Sequence, residues 1–173
     1  MELESSTKTI NLSNKKNTGL DSEKLVRKAT NKWRFENKNL DFMENLYILQ
    51  KKDDLNEVQE EIRRQINYKI NSYKGQDVKK GLLLESDFVD YDYVLNLLIE
   101  KQLKCFYCRD DVLLLYNYVR ENKQWTLERI DNKIGHNRGN VEIACLLCNL
   151  RRRTMYHERY VFTKQLCVVK MDE

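Results

Sequence analysis

Cys105-Phe-Tyr-Cys108 and Cys145-Leu-Leu-Cys148-Asn149 are two Cys-x-x-Cys pairs set 36 residues apart. Matched pairs at this spacing supply four thiolates, enough to close a tetrahedral zinc site. With all four positions taken by sulfur, no coordination site remains for water, so such a zinc is structural rather than catalytic. It lets a small region fold without a large core. Between the pairs run Trp125-Thr-Leu-Glu-Arg-Ile-Asp131 and Gly135-His-Asn-Arg-Gly-Asn-Val-Glu-Ile-Ala144. Acidic, imidazole and amide side chains are thus threaded through a metal-stapled loop.

The chain has 173 residues and a net charge of +4. That charge is uneven: residues 101–173 hold 14 Lys and Arg against 9 Asp and Glu, and residues 1–100 hold 17 against 18. A basic excess confined to the cysteine-bearing half suits a polyanionic partner such as DNA, or a simple solubilising surface. No apolar run approaches the roughly 18 residues of a membrane span, and Met1-Glu-Leu-Glu-Ser-Ser lacks the basic start of a secretory signal. Paired Cys-x-x-Cys without a secretory signal reads as metal binding, and the expected location is intracellular. Abundant Asn, Lys, Ile and Tyr suit an AT-rich genome, as in many viruses. Cys167, within Gln165-Leu-Cys-Val-Val169, reads as a small core residue.

Residues 1–20 are polar and aperiodic, and are expected to be a disordered tail. Residues 21–102 read as a helical region. Asp21-Ser-Glu-Lys can cap a helix carrying Leu25, Val26, Ala29 and Trp33. Leu55, Val58, Ile62, Ile66, Ile70 and Tyr73 recur at helical spacing as a packing stripe, or as the seam of a homodimer. Gly75 is expected to break that helix, leaving a lysine-bearing connector over 73–81 that touches phosphate or merely solvent. Ser86 or Asp87 then opens a further helix through Val94–Ile99. Val112–Val119, Trp125–Ile130 and Val141–Ala144 read as strands, and a basic helix is expected from Cys148 onward. The fold class is therefore α+β.

Taken together, Cys105-x2-Cys108, the Leu127-Glu128 strand end, Gly135-x4-Asn140-Val141 and Cys145-x2-Cys148-Asn149 resemble the zinc-bound HNH (His-Me finger) endonucleases. The likeness is to the recombination endonuclease VII-like branch and covers about residues 103–153. The resemblance implies a zinc-stapled ββα-metal domain over 103–173. It further implies a DNA endonuclease that leaves 5′-phosphate and 3′-hydroxyl ends, on branched or distorted DNA. A catalytic magnesium ion would then be held by Glu128 and Asn149, with Asn140 propping the loop. Two-strand cutting would call for a dimer, for which the N-terminal helices are available.

Read as residues alone, Asn149 equally caps the Cys145–Cys148 turn, Glu128 serves as a surface charge, and Asn140 is a turn residue either way. Where the family carries its base histidine, this chain has Arg129, whose guanidinium stays protonated and instead binds phosphate or pairs locally. The substitute base is assigned to His136, ahead of Asp131, whose ordinary pKa is about 4, and of His157. Arg151, Arg152 and Arg153, with Lys133 and Arg138, are the candidate phosphate contacts. Trp125 and Tyr156 are expected in the core. The alternative reading is an inactive zinc module, without the base histidine, that binds nucleic acid or serves as a structural or virion assembly protein.

Overall fold

The computed structural model describes residues 24–30, 33–35, 40–51 and 54–166. The tail over 1–20, the cap at Asp21–Glu23 and Cys167 lie outside the described residues. Within them the protein is mixed α and β, with five helices and one two-stranded antiparallel sheet. The helices are α1 (Phe42–Lys51), α2 (Glu57–Lys80), α3 (Tyr91–Glu100), α4 (Leu146–Arg152) and α5 (His157–Gln165). The strands are β1 (Trp125–Arg129) and β2 (Val141–Cys145). No described helix is long and apolar enough to cross a membrane.

The central helix α2 starts at a capping box: Asn56 Oδ1 accepts from the N–H groups of Val58 and Gln59, and the Gln59 side chain accepts from the Asn56 N–H. Its stripe of Ile62, Ile66 and Ile70 is buried inside the chain against α1 and α3. Gly75 does not break it. That glycine sits on an exposed stretch with no neighbour within 4 Å of a notional Cβ, and a helix tolerates one glycine at a cost of about 1 kcal/mol. The stop falls at Gly81, whose φ of 67° lies in the left-handed region. There Leu82 N donates to Asp77 O and Gly81 N to Val78 O, satisfying the last carbonyls.

Other expectations are corrected as well. The described residues 25–30 do not form an apolar-striped helix: Leu25, Val26 and Ala29 are exposed, and Val26 bridges Tyr118 in extended conformation. The helix α3 is capped by Asp90, which accepts from Tyr93 N, rather than by Ser86 or Asp87. Val112–Val119 is not a strand but an irregular segment with isolated bridges. Leu114, Leu115 and Tyr116 are buried in succession, which a strand with one solvated face cannot accommodate. Tyr156, expected in the core, is 80% exposed. The basic helix begins at Leu146, two residues before Cys148, with Cys145 as its cap.

β1 and β2 pair with Trp125 opposite Cys145 and Arg129 opposite Val141, and α4 follows β2 directly. Trp125 and Leu127 pack into the core, while Thr126 and Glu128 face α4 through their bonds to Asn149 and Arg152. The free edge of β1 is covered by α2. Lys69 Nζ donates to Trp125 O, and Leu127 N donates to Tyr73 Oη at 3.1 Å. Pairing an edge strand with side chains in this way removes its unsatisfied groups. The helical region is therefore docked onto the strand that carries Glu128.

Candidate metal centre and catalytic cleft

Cys105 and Cys108 sit in a tight turn after α3, closed by Arg109 N donating to Cys105 O at 2.9 Å, with Arg109 at a φ of 64°. Cys145 ends β2 and caps α4, its sulfur accepting from Cys148 N at 3.4 Å. The four Sγ atoms all lie within 4.8 Å of one another. A tetrahedral zinc with bonds of about 2.3 Å places its sulfurs about 3.8 Å apart, so the donor set fits. All four thiols are free, and three are buried. The hydrogen bond from Cys145, followed by backbone N–H donors, pulls the Cys105 thiol down to about 5, while the same bond and burial push Cys145 up. A cluster this crowded sheds one proton readily and resists losing more; a divalent cation removes that conflict.

Against β1 lies a cleft of about 450 Å³. Glu128, Arg129, His136 and Asn149 all line it, joined by Tyr73 and Lys80 of α2 and by Arg153. Residues from the strand, the glycine loop and the helix thus converge on one cavity. A larger cavity of about 670 Å³ between α1, α2 and α3 contains none of them.

Glu128 is buried, and its Oε1 accepts from Arg152 Nη1. Burial lifts its carboxyl above the usual carboxylate value, against the opposing pull of Arg152 and Arg129. Arg152 is 2% exposed and also donates to Arg129 O at 2.6 Å and Ile130 O at 2.7 Å. Its expected role as a surface phosphate contact is corrected: on a short helix packed against β1, position 152 points inward and fastens the strand end. Asn149 Nδ2 donates to Thr126 Oγ1 at 3.2 Å, while the turn that Asn149 was a candidate to cap is capped by Cys145. Glu128 and Asn149 are hard oxygen donors on one cleft and suit magnesium in kind, although Arg152 offsets the Glu128 charge.

The loop 130–140 is built on Asn140. Its Oδ1 accepts from Asp131 N, and its Nδ2 donates to Asp131 O and Gly135 O. Arg129 Nη1 donates to Asn132 O and Ile134 O, each at 3.1 Å, tying its guanidinium to the same loop. Asp131 accepts from Lys133 N and stays on the exposed turn. His157 lies apart, its Nδ1 3.1 Å from Tyr107 Oη and its ring stacked on Phe106. Lys133, Arg138, Arg151 and Arg153 are exposed, with Arg138 paired to Asp90.

His136 is buried, with Nδ1 2.9 Å from Asp77 Oδ1 and its backbone N donating to Asp77 Oδ2 at 2.6 Å. Burial pushes its pKa down, and Asp77 partly restores it, so the imidazole is neutral at pH 7. Asp77 was missed in the sequence. It continues the stripe of Ile66, Ile70 and Tyr73 as a lone acid at helical spacing, a signal hidden by ending the helix at Gly75.

Comparison with protein-family models, curated proteins and solved structures finds no match to this chain.

Proposed function

We propose that this protein is a divalent-metal-dependent DNA endonuclease of the zinc-stapled HNH kind. The observation that carries the reading is the convergence of Glu128, His136 and Asn149 on one cleft beside the four-cysteine cluster. Zinc at Cys105, Cys108, Cys145 and Cys148 would hold the turn after α3 against the end of β2 and α4. Magnesium, held by Glu128 and Asn149, would stabilise negative charge on the phosphate and the departing 3′ oxygen.

The remaining steps belong to the chain. His136, neutral and buried at the cleft wall, takes a proton from water as that oxygen bonds to phosphorus. The bond from phosphorus to the 3′ oxygen breaks, and that oxygen gains a proton from solvent, giving 5′-phosphate and 3′-hydroxyl ends. Arg129 cannot accept the proton; fixed to the loop backbone, it keeps positive charge at the rim with Lys80 and Arg153. The exposed Arg151, Arg153 and Lys133 track a DNA backbone without reading bases.

A second reading is a binding or assembly module on a zinc scaffold without catalysis. The buried Arg152–Glu128 pair favours it, since an internal cation already answers the carboxylate. Nicked, branched and linear duplexes, incubated with magnesium or EDTA, separate the two. Magnesium-dependent cutting that is lost in Glu128→Gln and His136→Ala establishes the nuclease. Salt-sensitive binding without cutting establishes the binding module, and absence of DNA binding points to assembly.

A further inference from the structure

The helical region contributes more to the cleft than cover. Along one face of α2, Lys69, Tyr73 and Asp77 follow each other four residues apart, and each meets the cysteine-bearing half. Tyr73 lies against the His136 imidazole with ring centroids 4.5 Å apart. Asp77 is fully buried, and each of its carboxylate oxygens faces one nitrogen of His136. The chain is cut to admit this contact: a Cβ on Gly135 would stand 2.5 Å from Leu82 O and 2.8 Å from Asp77 Oδ2. Val89 N donates to His136 O at 3.1 Å, so the loop is held from a second side. Among the described residues, Nε2 of His136 has no hydrogen-bond partner, and it is not a sealed orphan within the core.

We propose that Asp77 is the positioning residue of the cleft, holding His136 as the Nδ1–H tautomer so that Nε2 presents its lone pair to the reacting water. A carboxylate can only accept, so the Nδ1 it faces must donate. The imidazole carries a single proton when neutral, and fixing it on Nδ1 leaves Nε2 as the acceptor. The α2 helix is thereby part of the active site, which explains why a nuclease half carries a helical region docked on its strand edge. The kinetic part of this inference rests on the nuclease reading; the tautomer does not.

Asp77→Asn tests it by an asymmetry in the contact. The His136 backbone N–H is an obligate donor, so the one amide oxygen of asparagine stays with it. The amide NH₂ then faces Nδ1 and forces the proton to Nε2. Long-range proton–nitrogen NMR correlation of isotope-labelled imidazoles reads this directly, and with two histidines in the chain His157→Gln assigns the signals. The expected result is Nδ1–H in the wild-type protein and Nε2–H in Asp77→Asn. With that inversion, kcat for cleavage falls about 10²- to 10⁴-fold while KM stays within about twofold and zinc content is unchanged. Wild-type His136 found as Nε2–H overturns the proposal, whether or not the variant folds. Inverted tautomer with unchanged kcat overturns it too, as does an unchanged tautomer in the folded variant. A wild-type protein that shows Nδ1–H yet cuts no DNA sustains the dyad and removes the nuclease reading instead.

Discussion

The four-cysteine cluster and the cleft share one short hairpin, yet they are built in different ways. The cluster draws on two local turns, each complete within four residues, brought together by β2 and the start of α4. The cleft draws on α2, β1, the 130–140 loop and α4, four segments that no single spacing in the sequence links. A metal site of one ligand type can be specified by spacing. A site that sets the proton position of one imidazole depends on a distant helix docking in register.

The cluster is expected to be the more critical of the two for folding. Cys145→Ser, or chelation, should unfold the cysteine-bearing half, because binding free energy of about 10–16 kcal/mol for structural zinc is folding free energy. Metal analysis should give one zinc per chain in the wild-type protein, and circular dichroism should report the collapse. The buried ion pair comes next. Glu128→Ala leaves the buried Arg152 guanidinium its two carbonyl acceptors but no counter-charge and should cost about 3–5 kcal/mol in denaturant unfolding, with Glu128→Gln milder because it keeps an acceptor. If the two variants are equally stable, Arg152 is not held by that carboxylate.

Gly135→Ala addresses the cleft alone. The clash with Leu82 O and Asp77 should cost about 1–3 kcal/mol and displace His136, with zinc content intact. Acid should have a smaller effect. His136 has its pKa lowered from 6.5 by burial, so below pH 6.5 the unfolded chain takes up a proton that the folded chain refuses. Stability therefore falls as pH drops from 6.5 toward the folded value, and His136→Gln should flatten that part of the curve. Smallest in stability are Arg151→Ala and Arg153→Ala, within about 0.5 kcal/mol, although each should reduce the salt slope of DNA binding by about 1.

The four-cysteine cluster, both strands of the hairpin and the presence of a basic helix around Cys148 were legible because their signals are local: ligand spacing, β-forming side chains and a turn of Asn and Gly. Leu25–Trp33 and Val112–Val119 were misread for the opposite reason. Their backbones pair with distant segments, as when Val26 bridges Tyr118, and not within a regular element of their own. Gly75 was misread because one glycine on a long, well-anchored helix costs less than the packing of Ile62, Ile66 and Ile70 returns. Asp77, two residues further on, stays on the same helix for the same reason.

What the amino-acid order decides here is chemistry that needs no more than a few neighbours: which sulfurs gather, where the hairpin turns, and that the residue after Glu128 is an arginine, which cannot accept a proton. Burial is decided elsewhere. Arg152 and Arg153 are adjacent and identical in type, yet one is locked under β1 and the other lines the cleft. The same docking gives His136 a carboxylate from a helix 59 residues away in the chain. Side-chain identity fixes what a group can donate or accept. Which partner it meets, and so whether it is a surface charge, a structural tie or a base, follows from three-dimensional packing that no local spacing encodes.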